Sequence, residues 1–106
     1  MKDIMGLMKQ AQGLQQKMAD MQTELASVEV EGASGGGMVK VVATAKGEVK
    51  QVSIDPSLMV ADEREILEDL IVAALNDARG RAERVAAQRM EEVTKGLPLP
   101  PGLKLF

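Results

Sequence analysis

Ile4, Leu7, Ala11, Leu14, Met18, Met21, Leu25 and Val28 follow one another at alternating steps of three and four residues. That spacing predicts a helix over about residues 3–26, with one narrow apolar seam held for more than three heptads. Gln10, Gln12, Gln15, Gln16 and Gln22 fill its other faces. At 1.5 Å per residue the helix is roughly 33 Å long, whereas a compact domain of this size has a radius of gyration of about 13 Å. The helix must therefore project, or lie against a partner.

Period two replaces the helical pattern over about residues 27–54. Ser27 to Glu31 alternates apolar and charged residues before Gly32-Ala33-Ser34-Gly35-Gly36-Gly37 breaks the run. Met38 to Ala45 carries Val39, Val41 and Val42, and Lys46-Gly47 turns the chain into Glu48 to Ile54. Asp55-Pro56-Ser57 ends the third strand, because Pro56 has no ladder donor and holds Asp55 extended. These segments predict an antiparallel meander of three strands that needs cover on at least one face.

A second helix is predicted over about residues 62–95, opened by Asp62 to Glu65 at capping-box spacing with Asp in place of Ser or Thr. Its apolar stripe is widest at Leu70 to Leu75, so that stretch should be buried on two sides, by the sheet and by something else. Gly96 stops the helix, and Pro98, Pro100 and Pro101 prevent a restart in the tail, 96–106, which keeps an apolar side through Leu97, Leu99, Leu103, Leu105 and Phe106. The order helix, three strands, helix defines an α+β fold, αβββα, in a single domain over 1–106. Two helices too long for the sheet, with seams left over, favour a homodimer over an elongated monomer, with Leu70, Ile71, Ala74 and Leu75 at its interface.

Composition removes most chemistry. The 106 residues contain no His, Cys, Trp or Tyr and a single Phe, which excludes thiolate and imidazole catalysis, disulfides, and zinc or haem ligation. An aromatic platform for single-stranded nucleic acid is excluded for the same reason. Glu68 with Asp69, and Glu91 with Glu92, are adjacent on a helix and point about 100° apart, so neither pair shares a site. The chain reads as a non-enzyme with no cofactor, no metal and no small-molecule substrate. The longest apolar run, Leu70 to Leu75, is far too short to span a bilayer, which points to a cytosolic protein without a membrane partner.

Four blocks in order carry a family resemblance: Gly6 to Gln12 with Met18; Gly35 to Val41; Ile54 to Leu58 continued by Leu67 to Ile71 with Ala74 and Asn76-Asp77-Ala78; and, as the fourth, the tail Leu99-Pro100-Pro101-Gly102. In these blocks the chain resembles the YbaB/EbfC family of small bacterial nucleoid-associated proteins over nearly its whole length. The resemblance implies an αβββα protomer in an intimate homodimer whose helical ends project like tweezers. It also implies binding of double-stranded DNA in the nucleoid, with altered DNA conformation and effects on nucleoid organisation and gene expression. The chain departs from this picture in its charge, −3 with a surplus of acids.

Binding to a duplex backbone needs clustered cations, since counterion release supplies most non-specific affinity. Arg79, Arg81, Arg84 and Arg89 fall in a stretch with one acid, Glu83, whereas Asp62 to Asp69 holds five acids and one Arg. The helix dipole favours that same segregation without any ligand, and at helical spacing the arginines spread round the axis. On the first helix Lys2, Lys9 and Gln16 share a heptad position opposite the seam, with small Gly6 and Gly13 nearby; a solvated outer face has the same pattern. Gly32 to Gly37 lacks a following Lys-Ser or Lys-Thr, so it reads as a flexible hairpin connection and not a P-loop. The rival function is a protein-interaction or chaperone-like clamp without DNA binding, since prefoldin subunits also set β-hairpins between two long helices, and the acidic balance suits it.

Overall fold

A computed structural model describes residues 2–95 of the chain. Helix α1 (Lys2–Ser27) leads through Val28 into strands β1 (Glu29–Ser34), β2 (Val39–Thr44) and β3 (Val49–Ile54), and helix α2 (Arg64–Lys95) follows two short 3₁₀ turns. The strands form one antiparallel sheet in the order β1-β2-β3. The predicted αβββα order and meander are thus present, in a shape far from spherical. The principal extents are 72 × 26 × 16 Å and the radius of gyration is 19.9 Å, well beyond the roughly 13 Å of a compact domain this long.

Register decides which face of the sheet is covered. Val30, Gly32 and Ser34 of β1 pair with Ala43, Val41 and Val39 of β2, and on the other side Val39 and Val41 pair with Ile54 and Val52 of β3. Residues directly opposite share a face, so this row of small and β-branched side chains forms the floor on which α2 lies. Ala74, Ala78 and Ala82, one turn apart, are the buried residues of α2, and Val39, Val41, Ala43 and Leu58 complete the core beneath the first two. The opposite face carries Glu29, Glu31, Lys40, Gln51 and Ser53, all exposed.

Three details depart from the sequence reading. Strand β1 starts later and runs on through Gly32, Ala33 and Ser34, and the chain breaks only at Gly35–Gly37. Gly32 belongs to the strand because α2 passes directly over it: a Cβ there would collide with the backbone of Ala74 and Ala78. The break itself is an ordered 3₁₀ turn in which all three glycines have positive φ (59°, 67° and 95°), a region open chiefly to residues without a Cβ. Asp62 does not cap α2. It lies in the 3₁₀ turn Ala61–Glu63, whose N-cap is Val60 with no side-chain cap, and the Arg64 amide, a donor that an Asp62 cap would have taken, bonds to the Ala61 carbonyl. The tighter turn satisfies that donor, so Asp62 and Glu63 act on the helix only as negative charges near its positive end.

Asp55 does perform a capping role, at the exit of the sheet. Its Oδ1 accepts from the Ser57 amide at 2.9 Å and the Ser57 hydroxyl at 2.7 Å. With Pro56 opening the turn, these bonds seat Leu58 in the core.

Helix α1 lies largely off the sheet and meets it only around β2 and Ala45 just beyond it. Its C-terminal half packs antiparallel on the C-terminal half of α2, where Met21, Leu25 and Ala45 form a second core with Met18, Val28, Val85, Ala86, Met90 and Val93. The seam legible in the sequence is therefore satisfied by α2 from Met18 onward. Toward the N-terminus α1 outruns α2, and Ile4 and Leu7 are 58% and 63% exposed. Among the described residues, no helix is long and apolar enough to cross a membrane.

Candidate nucleic-acid interface

The candidate cations do not assemble into one patch on the single chain. Arg79 and Arg81 are two residues apart on α2, about 200° of rotation, and leave the helix on opposite flanks. Arg79 lies beside the β2–β3 turn, where it lines a depression with Gln22, Lys46, Gly47 and Glu83. Its guanidinium is 4.0 Å from Glu83, both side chains remaining largely exposed, an arrangement worth little in stability.

Arg81 faces the β1 side and reaches Asp77 Oδ2 at 3.4 Å. Asp77 also accepts the Ala33 amide of β1 at 3.0 Å, so it ties α2 to the free edge of the sheet. That backbone hydrogen bond, aided by Arg81 and by the more distant charge of Arg84, holds the Asp77 carboxyl below the usual carboxylate range. Arg84, one turn further on the same flank, is exposed, and no carboxylate among the described residues lies within ion-pair distance of it.

Arg89 is placed differently. Its Nη2 bonds to Glu24 Oε1 of α1 at 3.1 Å and its Nη1 to Glu92 Oε2 at 3.5 Å. It clamps the two helices together, and its charge is compensated twice. On α1, Lys2 is the first described residue, and Lys9 is exposed on the projecting half. Gln16 donates from Nε2 to Asp20 Oδ1 at 3.0 Å, along its own helix.

Lys46 is the cation that sequence reasoning passed over. As half of a Lys-Gly turn it carried no signal beyond the turn, and only the fold brings it beside Arg79. The expected dimer residues also divide. Ala74 is fully covered by the chain's own sheet, so it is not available to a second copy. Leu70, Ile71 and Leu75 stay half-buried, and Leu75 borders an open depression with Val49, Asn76 and Arg79.

Comparison with known proteins matches this architecture. The family model described as the YbaB/EbfC DNA-binding family covers residues 1–97. The chain belongs to that family. A protein of Nitrobacter hamburgensis named nucleoid-associated protein is 64% identical over 105 residues, 99% of each chain. One of the same name from Methylocella silvestris is 55% identical, over 99% of this chain and 98% of that one. The crystal structure of an uncharacterized Helicobacter pylori protein superposes with a TM-score of 0.73, covering 81% of this chain and 90% of that one at 24% identity, which establishes the fold. The family is one of DNA-binding proteins and not of enzymes.

Proposed function

We propose that this YbaB/EbfC protein binds the backbone of double-stranded DNA as a homodimer in the bacterial nucleoid, and that it alters duplex conformation there with effects on nucleoid organisation and gene expression. The observation that carries this reading is the exposed cationic flank of α2, Arg81 and Arg84, on an elongated protomer of a DNA-binding family. With an overall charge of −3, one copy offers too few cations for strong phosphate neutralisation, and doubling the flank within a dimer supplies the deficit. Arg79 with Lys46 on the opposite flank, and Lys2 and Lys9 on the projecting end of α1, are the further contacts to the backbone. Such contacts fix position and read groove shape more than base edges.

The support for pairing lies in the apolar strip between α2 and β3. Helix α2 covers β1 and β2, leaving Val49 and Val52 of β3 47% and 42% exposed on the helix side of the sheet. Beside them run Leu75 and Val72 of α2, half-buried and exposed respectively. A strip of this kind, apolar and flanked by charge, suits a second copy of the chain. The test is an anisotropy titration of labelled duplex DNA against salt. Micromolar affinity at low salt, falling linearly in a double-logarithmic plot against salt, is the expected outcome; no retained duplex at low salt would remove the proposal.

A further inference from the structure

The N-terminal half of α1 presents an apolar seam that nothing among the described residues covers. Ile4, Leu7 and Ala11 are exposed and Leu14 is half-buried, although they continue without a break the heptad row that α2 buries from Met18 onward. Because the helices run antiparallel, the described part of α2 reaches Lys95 near the level where α1 becomes bare, and eleven residues of chain follow that point. From the geometry we infer that this tail, residues 96–106, docks along the seam of α1 between Leu14 and Ile4 and takes over from α2 as its cover.

Length, pattern and charge all suit the tail to this seam. Met18 to Ile4 spans about 21 Å of helix at 1.5 Å per residue, and an extended Pro-rich segment of eleven residues reaches about 34 Å at 3.1 Å per residue. Leu97, Pro100, Leu103 and Phe106 recur at every third position, so a tail in this conformation, with three residues per turn, shows them on one side. Pro98, Pro100 and Pro101 keep the segment from becoming a helix and reduce the entropy lost on docking. Lys104, the tail's one charged side chain, falls outside that row by the same threefold repeat and stays in solvent. Attachment to α2 also gives the tail an effective concentration in the millimolar range at the seam, an advantage no free partner has. The docking stands whether or not the protein binds DNA.

The chain has no native cysteine, so Lys104→Cys in the full-length protein gives a single attachment point for a nitroxide. The expected result is loss of amide signal by paramagnetic relaxation over residues 4–14 of α1, with β3 unaffected. Replacing Leu103 and Phe106 by Asp in the same labelled protein should restore those signals without altering the circular dichroism spectrum. Undiminished signals over residues 4–14 would overturn the inference, as would the strongest loss falling instead on the groove lined by Met21, Leu25 and Met90. Mixing spin-labelled chains with isotope-labelled ones tests the remaining case: broadening that arises only between copies would show the tail on a partner's helix and overturn docking on its own.

Discussion

Gly32 is the residue on which the packing of helix on sheet turns. Any side chain there meets the backbone of Ala74 and Ala78, atoms that cannot rotate away. Gly32→Ala should therefore lower unfolding free energy by about 3 kcal/mol, the upper end of the cost of overpacking, seen as a reduced midpoint in urea at unchanged slope. Asp77 works at the same junction from the other side, through the Ala33 amide and Arg81. Its folded-state pKa lies below the ordinary value of 3.8, so its stabilisation is present above that pH and is lost as pH falls through the folded value. Asp77→Asn should lower the melting temperature at pH 7. The gap to the wild-type protein should close only in strong acid, below pH 3.8; a gap unchanged between pH 7 and pH 2 would refute the assignment.

The two helices take their order from different partners. Helix α2 sits on the sheet through alanines spaced one turn apart, which allows a close approach of backbone to backbone. Helix α1 is held mainly along α2, by Met21, Leu25 and the Arg89 bridge to Glu24, with Ala45 beyond β2 in the same cluster. Leu25→Ala should thus cost about 2–5 kcal/mol, the range for deleting a buried leucine side chain, and in hydrogen exchange the drop in protection should concentrate in α1. The extent of α1 and the start of α2 were legible from periodicity to within about two residues, while the stop expected at Gly96 and the Pro-rich tail lie outside the described residues. The capping of α2 was misread because Asp62 has the composition of a cap without its geometry: a 3₁₀ turn had already satisfied the donor it would have taken.

For the whole molecule, charge placement and shape carry the predictions. Arg84 has no carboxylate partner among the described residues, whereas Arg89 has two. Arg84→Glu should weaken duplex binding and reduce the salt slope by about 0.9 for each phosphate no longer neutralised. Arg89→Glu should act mainly on stability, through the broken clamp between the helices. Equal effects of the two variants on DNA affinity would contradict this division. At the proposed dimer strip, Val52→Glu should shift the protein toward the monomer in sedimentation velocity while leaving the circular dichroism spectrum unchanged, because the side chain is already partly exposed in the single chain.

From the sequence alone came the number, order and kind of elements, the aliphatic non-enzymatic character and the family, because hydrophobic period, turn chemistry and missing residue types are local properties of the chain. The tertiary structure decided what each face meets. It turned Ala74 inward onto the sheet, kept Gly32 within a strand and engaged Arg89 between the helices. It also brought Lys46 of a turn beside Arg79 of a helix. Each of these depends on packing between residues far apart in the chain. A periodic pattern specifies that a face will be buried, but it does not specify by which neighbour.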